Sequence, residues 1–403
     1  LKGWNNIEQA FKRHWLGLFE KWLDRGVVSP NLINLYAIRR ILVVRQHDQV
    51  GDLLVSTPVL RALRQFFPQA HIAVLARSYT ATVIQHNQFV DEVIVFAEKL
   101  LRWTPIKLWR LLRALRRGWD LTIVLNTVSH SLTSDLLAYF SGARYILGSE
   151  HRIFPGCQRN FFYNLVARHF GHVKHYSERN LDIVRHLGID TEDRSEVMTL
   201  TAQEQLLARN FLRENGFGEK DVVIVINLGA GKQQNRWPVD KFAELVAILH
   251  RQFAVRLIVT WGPQEDELGL DLRRRLPFDP FALPGLSLRQ LAAILAHSDL
   301  LVCNDTGVMH LAAAVGTPLV AIFGPTDPAE WKPIGKKFIA VRGEKHSCEN
   351  VSVQQVLQTI QSLLGDRLVP RLEPPDEALS PSASDLTDED TQNFLRRFVF
   401  KEQ

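Results

Sequence analysis

The 403-residue chain is poor in cysteine: Cys157, Cys303 and Cys348 are its only three. They are too scattered for a zinc site or a disulfide framework and are expected as reduced thiols of a cytoplasmic protein. No run of about 18 uninterrupted apolar residues occurs, so no transmembrane helix is predicted. The opening "LKGWNNIEQAFKRHW" carries charges throughout and lacks the apolar core of a signal peptide. No G-x-G-x-x-G follows the first apolar run, which leaves a dinucleotide fold unsupported. No cluster of His, Cys, Asp or Glu has metal-ligand spacing, and neither a metal nor a cofactor is expected. What the chain has in slight excess is positive charge, +5. That favours anionic partners, and nucleotides, lipid headgroups and nucleic acid all satisfy it.

A chain of this length exceeds one ordinary core and suits two domains plus extensions. Residues 1–38, with "IEQAFKRHWLGLFEKWLDRG", read as an aromatic, basic helical extension in which Phe11, Trp15, Leu18, Phe19 and Trp22 fall near helical spacing. Packing on the protein's own surface and contact with a membrane both fit that pattern. From about residue 39 short apolar runs alternate with amphipathic segments: "RRILVVR", "PVLRALRQFFP", "HIAVLAR", "VDEVIVF", "IKLWRLLRALRRGW" and "DLTIVLN". This is the pattern of parallel βαβ units. The alternation restarts at "DVVIVINLGAG" and runs to a helix near 351–364. The expected domains are therefore 39–215 and 216–365, both doubly wound, with a linker or tail over 366–403 that is rich in Pro, Ser and acids. Ligands of such sheets sit at the carboxyl ends of the strands, here in a cleft between two domains.

Three loops at strand ends hold residues suited to chemistry. "RQHDQVGDLLVSTP" presents Asp48 and Asp52, with Gly51 allowing a tight turn before the second acid. Thr57 and Pro58 suit the N-cap and first position of a helix, which would leave Asp52 on the preceding loop. If the helix starts earlier, Asp52 is its N-cap and Pro58 makes a kink. "NLGAGKQQNRWPVDKF" offers Gly229 and Gly231 for close backbone approach, and Lys232 and Arg236 for charge, or forms a plain turn with solvated bases. "VCNDTGVMHLAAAVGTP" places Asp305, Thr306 and Gly307 where a strand gives way to a helix, with His310 on the same helical face as Thr306. Such a junction is a seat for phosphate, or simply a capped helix start. Glu265 in "WGPQEDE" follows another strand end, where a carboxylate can accept ribose hydroxyl bonds or merely open a helix. Between Lys99 and Gly118 stand seven bases and no acid. There Leu108, Leu111, Leu112 and Leu115 are expected as the apolar stripe, with Arg110, Arg113 and Arg117 on another face. That basic face is either solvated or docks on an anionic membrane.

The order and separation of "ILVVRQHDQVGDLLVSTPVLRALRQFFPQAHI", "NLGAGKQQNRWPVDKFAEL" and "DLLVCNDTGVMHLAAAVGTPLVAIFGPTDP" resemble family 9 glycosyltransferases, the ADP-heptose:lipopolysaccharide heptosyltransferases. The resemblance spans about residues 40–360. It implies an α/β GT-B architecture of two Rossmann-like domains and inverting transfer from a nucleotide diphosphate sugar to a lipid-linked glycan, with no role for nucleic acid. By position it gives Asp52 the role of catalytic base. It places Asp305, Thr306, Gly307 and His310 at the donor diphosphate and sugar, Glu265 near the ribose, and Leu286 of "LPGLSL" near the adenine. Asp48, Gly51, Arg110 and Arg113 are expected on the acceptor side. Where the family often has a lysine two residues before Trp-Pro, this chain has Asn235, so Lys232 or Arg236 would supply the charge. A nucleotide- or glycan-binding relative without turnover and a sugar-nucleotide epimerase are the alternatives.

Overall fold

The computed structural model describes residues 20, 22–46, 49–97, 104–127, 131–150, 159–169, 174–283 and 285–371. Asp48, Cys157, nearly all of the proposed N-terminal helix and the tail beyond 371 lie outside the described residues. The chain divides into two units, Leu1–Arg194 and Ser195–Gln403.

In the first unit β1 (Arg40–Arg45), β2 (His71–Arg77), β3 (Glu92–Phe96), β4 (Leu121–Val124), β5 (Tyr145–Ser149) and β6 (Leu165–Ala167) form one sheet in the order β3-β2-β1-β4-β5-β6. Every neighbouring pair is parallel, with Ile41 beside Ile72 and Leu121. Strands of such a sheet are covered on both faces, and this is why "ILVV" and "IAVLA" are continuous apolar runs. Leu42, Val44, Ala73 and Leu75 pack with Leu111, Ala114, Leu115 and Trp119 into one core cluster. The described start of the chain is docked here: Val28 N donates to Asn164 O at 2.8 Å and Arg25 Nη1 to Ala143 O at 2.9 Å.

The second unit repeats the plan. β7 (Val222–Asn227), β8 (Val255–Thr260), β9 (Phe281–Ala282), β10 (Leu300–Asn304), β11 (Leu319–Phe323) and β12 (Phe338–Arg342) run in the order β12-β11-β10-β7-β8-β9, again all parallel. Numbered from its own first strand, this is the same order as in the first sheet. Trp237, Phe242, Val246 and Leu249 of the following segment pack on Ile224, Ile226, Val302 and Val320. The Val353–Leu364 helix closes the same cluster with Val356, Leu357 and Ile360.

Two expected boundaries move. The division falls at Arg194/Ser195 rather than 215/216, because the Ala202–Glu214 helix packs with the second unit: Arg289 Nη2 donates to Glu204 Oε2 at 2.6 Å. The second unit also extends past 365, since Ala254 N donates to Val369 O and Arg371 N to Gln252 O, at 2.9 and 2.8 Å. A third correction concerns the Pro105–Leu115 helix. Its buried residues are Leu111, Ala114 and Leu115, whereas Leu108 and Leu112 are 48% exposed. The core-facing stripe is therefore Leu111, Ala114 and Leu115; only Leu108 and Leu112 of the four expected leucines turn outward.

Candidate active site

In both sheets the strand order reverses beside the first strand, between β1 and β4 and between β7 and β10. Ligands of doubly wound sheets bind outside the carboxyl ends of the strands at that point.

In the second unit the reversal is framed by Asn227, ending β7, and Asn304, ending β10. Asn304, fully buried, donates from Nδ2 to Leu228 O at 2.9 Å and Gly229 O at 3.3 Å, and its Oδ1 accepts from Trp237 N at 2.9 Å. It thus fastens both ends of the Gly229–Arg236 loop to the sheet, a role the sequence reading did not assign. Glu265 holds the same loop from β8. Its Oε1 accepts from Ala230 N at 3.2 Å and Arg236 Nη2 at 2.8 Å, and its Oε2 from Gly262 N at 2.8 Å. The carboxylate lies where a side chain at Gly229 would be: a Cβ there would meet Oε2 at 1.8 Å. Glu265 occupies the N-cap of the Asp266–Arg275 helix without capping it with its side chain.

The Gly307–Val315 helix leaves β10 through Asp305 and Thr306. Thr306, at the N-cap, makes no side-chain capping bond, and the first turn holds no acid. Its leading N–H groups therefore keep the positive end of the helix dipole uncompensated, as an anion seat requires. Asp305 does not cap the helix either. Its Oδ2 accepts from Asn235 Nδ2 at 3.1 Å, and Thr326, from the loop after β11, donates its hydroxyl to the same carboxylate. Burial holds Asp305 above the ordinary carboxylate value, while the Thr326 bond and the nearby His310 and Lys232 offset part of that rise. One turn on, His310 is buried, with Nδ1 2.9 and 3.1 Å from the two carboxylate oxygens of Glu196, itself buried. A carboxylate at Nδ1 fixes the proton there and the orientation of the ring. Gly316, at φ 89°, ends the helix in the left-handed region open to glycine.

The two candidate cations behave differently. Arg236 is a strut of the loop, donating from Nε to Ala230 O at 2.9 Å as well as to Glu265. Lys232 is exposed, and its charge reaches Asp305. Asn235 is buried, and its Oδ1 has no hydrogen-bond partner among the described residues. Gly231 is exposed on the loop, and Leu286 is half-buried just before the Leu288–Ala296 helix.

In the first unit Asp52 follows β1, inside the short Val50–Leu54 helix rather than on a loop, with Gly51 buried beside it. Its Oδ2 accepts from Gln49 N at 3.0 Å. Its Oδ1 accepts no hydrogen bond among the described residues, and the side chain is mostly buried. The next helix, Thr57–Phe66, has Ser56 rather than Thr57 at its N-cap, so Pro58 takes the second position. A helix does start early, but with Gln49 rather than Asp52 at its N-cap, and a separate helix starts at the proline instead of a kink. Arg45, ending β1, is buried and donates from Nη1 to Leu125 O at 2.8 Å and Asn180 Oδ1 at 2.9 Å. Arg110 and Arg113 lie far along the chain from these, on the exposed face of Pro105–Leu115.

Two Rossmann-like units, each with polar loops at its strand-order reversal, make up the GT-B architecture. Residues 108–361 match the sequence profile of glycosyltransferase family 9 (heptosyltransferase). The chain belongs to that family. It is 26% identical over 296 residues to lipopolysaccharide heptosyltransferase 3 of Escherichia coli, covering 72% of this chain and 85% of that protein. It is 24% identical over 340 residues to lipopolysaccharide heptosyltransferase 1 of Escherichia coli strain K12, covering 80% and 100%. The solved family 9 glycosyl transferase of Veillonella parvula superposes with a TM-score of 0.72 at 23% identity, over 81% of this chain and 97% of that one. These relationships make the protein an enzyme, a glycosyltransferase of heptosyltransferase type.

Proposed function

We propose that the enzyme moves a heptose from ADP-heptose to a hydroxyl of a lipopolysaccharide-core acceptor, with inversion and with Asp52 as general base. The names of its relatives supply the acceptor class, and the uncapped Asp305–Thr306–Gly307 helix start is the observation that carries the donor side. The acceptor hydroxyl attacks the anomeric carbon and passes its proton to Asp52, as the bond from that carbon to the diphosphate oxygen breaks. The charge that develops on the leaving diphosphate is met by the helix N–H groups and by Lys232. Glu265 and Leu286 are assigned to the ribose and base, with Gly229 and Gly231 giving the backbone room; Glu196 acts through His310 as a positioning residue. A donor screen that reads released nucleotide, with a lipid-linked glycan extract as acceptor, tests this. Nucleotide binding without release, or a changed sugar without any acceptor, would reject it.

Two predictions follow from the cation and the acid. Lys232→Ala should lower turnover about 10- to 100-fold, the loss of one charge-assisted contact of about 1.5–3 kcal/mol. Arg236→Ala should instead raise the nucleotide's Kd through a loosened loop. Steady-state kinetics and calorimetry with ADP separate the two variants. Asp305→Asn should lose activity yet melt at a higher temperature than the parent at pH 7. Because burial raises the folded-state value of Asp305, ionising it costs stability above that value. The gap in melting temperature should close as pH falls through the raised value and below the ordinary carboxylate range. A gap that widens toward acid pH would contradict this.

A further inference from the structure

The outward half of the Pro105–Leu115 helix exposes an unusual mixture. Ile106 is 62% exposed and Trp109 57%, with Leu108 and Leu112 at 48%. Around them stand Lys107, Arg110, Arg113 and Arg116, also exposed, and no acid occurs between Thr104 and Gly118. Arg113 lies over the Trp109 ring at 5.2 Å, so cation and aromatic form one surface. Between this helix and β3 runs a cavity of about 740 Å³ lined by Lys107, Trp109, Arg110, Arg113 and Arg117. Its one acid, Glu92, is bound by Arg117 at 2.6 Å and by His71 at 3.2 Å.

We propose that this face is where the enzyme docks on an anionic lipid bilayer, Ile106, Trp109 and Leu112 entering the headgroup layer and the groove receiving an anionic headgroup. The apolar and basic residues together select that partner. A second copy of the chain would oppose like charges across a self-complementary contact. Nucleic acid would satisfy the cations but leave four large apolar side chains facing phosphates and water. A bilayer surface satisfies both, with tryptophan at the interface and arginines reaching outward to phosphates. The face lies wholly within the first unit, and the inference does not depend on the transferase reading, since lipid binding needs no sugar donor.

The test is co-sedimentation of the full chain with phosphatidylcholine vesicles, with and without roughly a third phosphatidylglycerol, at low and high salt. Binding should need the anionic lipid and weaken with salt. Lys107→Glu should weaken it at least about fivefold, the effect of one cation near such a surface, and Arg110→Glu/Arg113→Glu should abolish it. Ile106→Ser/Trp109→Ser should also lose binding while keeping the parent's melting temperature, because both side chains are exposed. Equal binding to neutral vesicles, no binding at all, unchanged binding by these variants, or retention on a soluble polyanion without vesicle binding would each overturn the proposal. Should the double serine variant melt early, Lys107→Glu decides alone.

Discussion

Asp52→Asn is expected to lower the rate of sugar transfer by about 10²- to 10⁴-fold, the usual worth of a positioned general base, while leaving ADP binding within error of the parent. The two substituents have nearly the same shape. An asparagine amide oxygen can still accept from Gln49 N, the contact that now holds Oδ2 at 3.0 Å, so the Val50–Leu54 helix should persist. What disappears is the second carboxylate oxygen, which accepts no hydrogen bond among the described residues. The capping role and the catalytic role are thus assigned to different oxygens of one side chain, and asparagine removes only the latter. Asp52→Ala removes both and should also lower the melting temperature, by the loss of a capping contact of about 1 kcal/mol. Equal turnover in the parent and the asparagine variant would show that another group takes the proton.

The central strands were legible because burial on both faces leaves them no polar alternation. "HIAVLAR" and the strand it forms, His71–Arg77, coincide. β5, β6 and β12 were not recognised. β6 is three residues long, and "FIAVR" of β12 sits at a sheet edge with most of its residues only half-buried. On Pro105–Leu115 the stripe holds for Leu111 and Leu115 but not for Leu108 and Leu112, for a different reason. Leucines at helical spacing fit a core face and a lipid face equally, and only packing against the Phe161–Tyr163 region and Trp119 chooses between them.

At the candidate site the sequence marked the strand-to-helix junctions, since an acid, a hydroxyl and a glycine after an apolar run have a local physical meaning. It could not mark the partners. Glu196 is 114 residues from His310, and Asn304 is 67 from Trp237. Nothing in the neighbourhood of either partner announces the pairing. Asn235 was read only as a missing cation, whereas its amide holds Asp305 and belongs to the floor of the loop. Lys232 and Arg236 are equivalent as letters but differ in what they touch: Arg236 bonds Ala230 O and Glu265, whereas Lys232 is exposed.

Gly229→Ala should weaken nucleotide binding about 10- to 100-fold without unfolding the second unit. A methyl group at 229 would occupy the place of the Glu265 carboxylate, 1.8 Å from Oε2. The carboxylate is the end of a flexible side chain, so it moves and the backbone need not. Moving it breaks its bonds to Ala230 N, Gly262 N and Arg236. One or two such charge-assisted bonds, at about 1.5 kcal/mol each, set the expected loss. Glu265→Ala deletes those bonds directly and should match the glycine variant closely. The double variant Gly229→Ala/Glu265→Ala then provides a cycle, since two changes acting through one carboxylate are not additive. The double variant should bind ADP as weakly as either single one, and no more weakly. If the two losses instead multiply, the alanine methyl acts on the nucleotide itself, and Gly229 is needed for the ligand's approach rather than for the carboxylate beneath it. Calorimetry with ADP on the three variants distinguishes these results, with melting curves to show that the sheet remains intact.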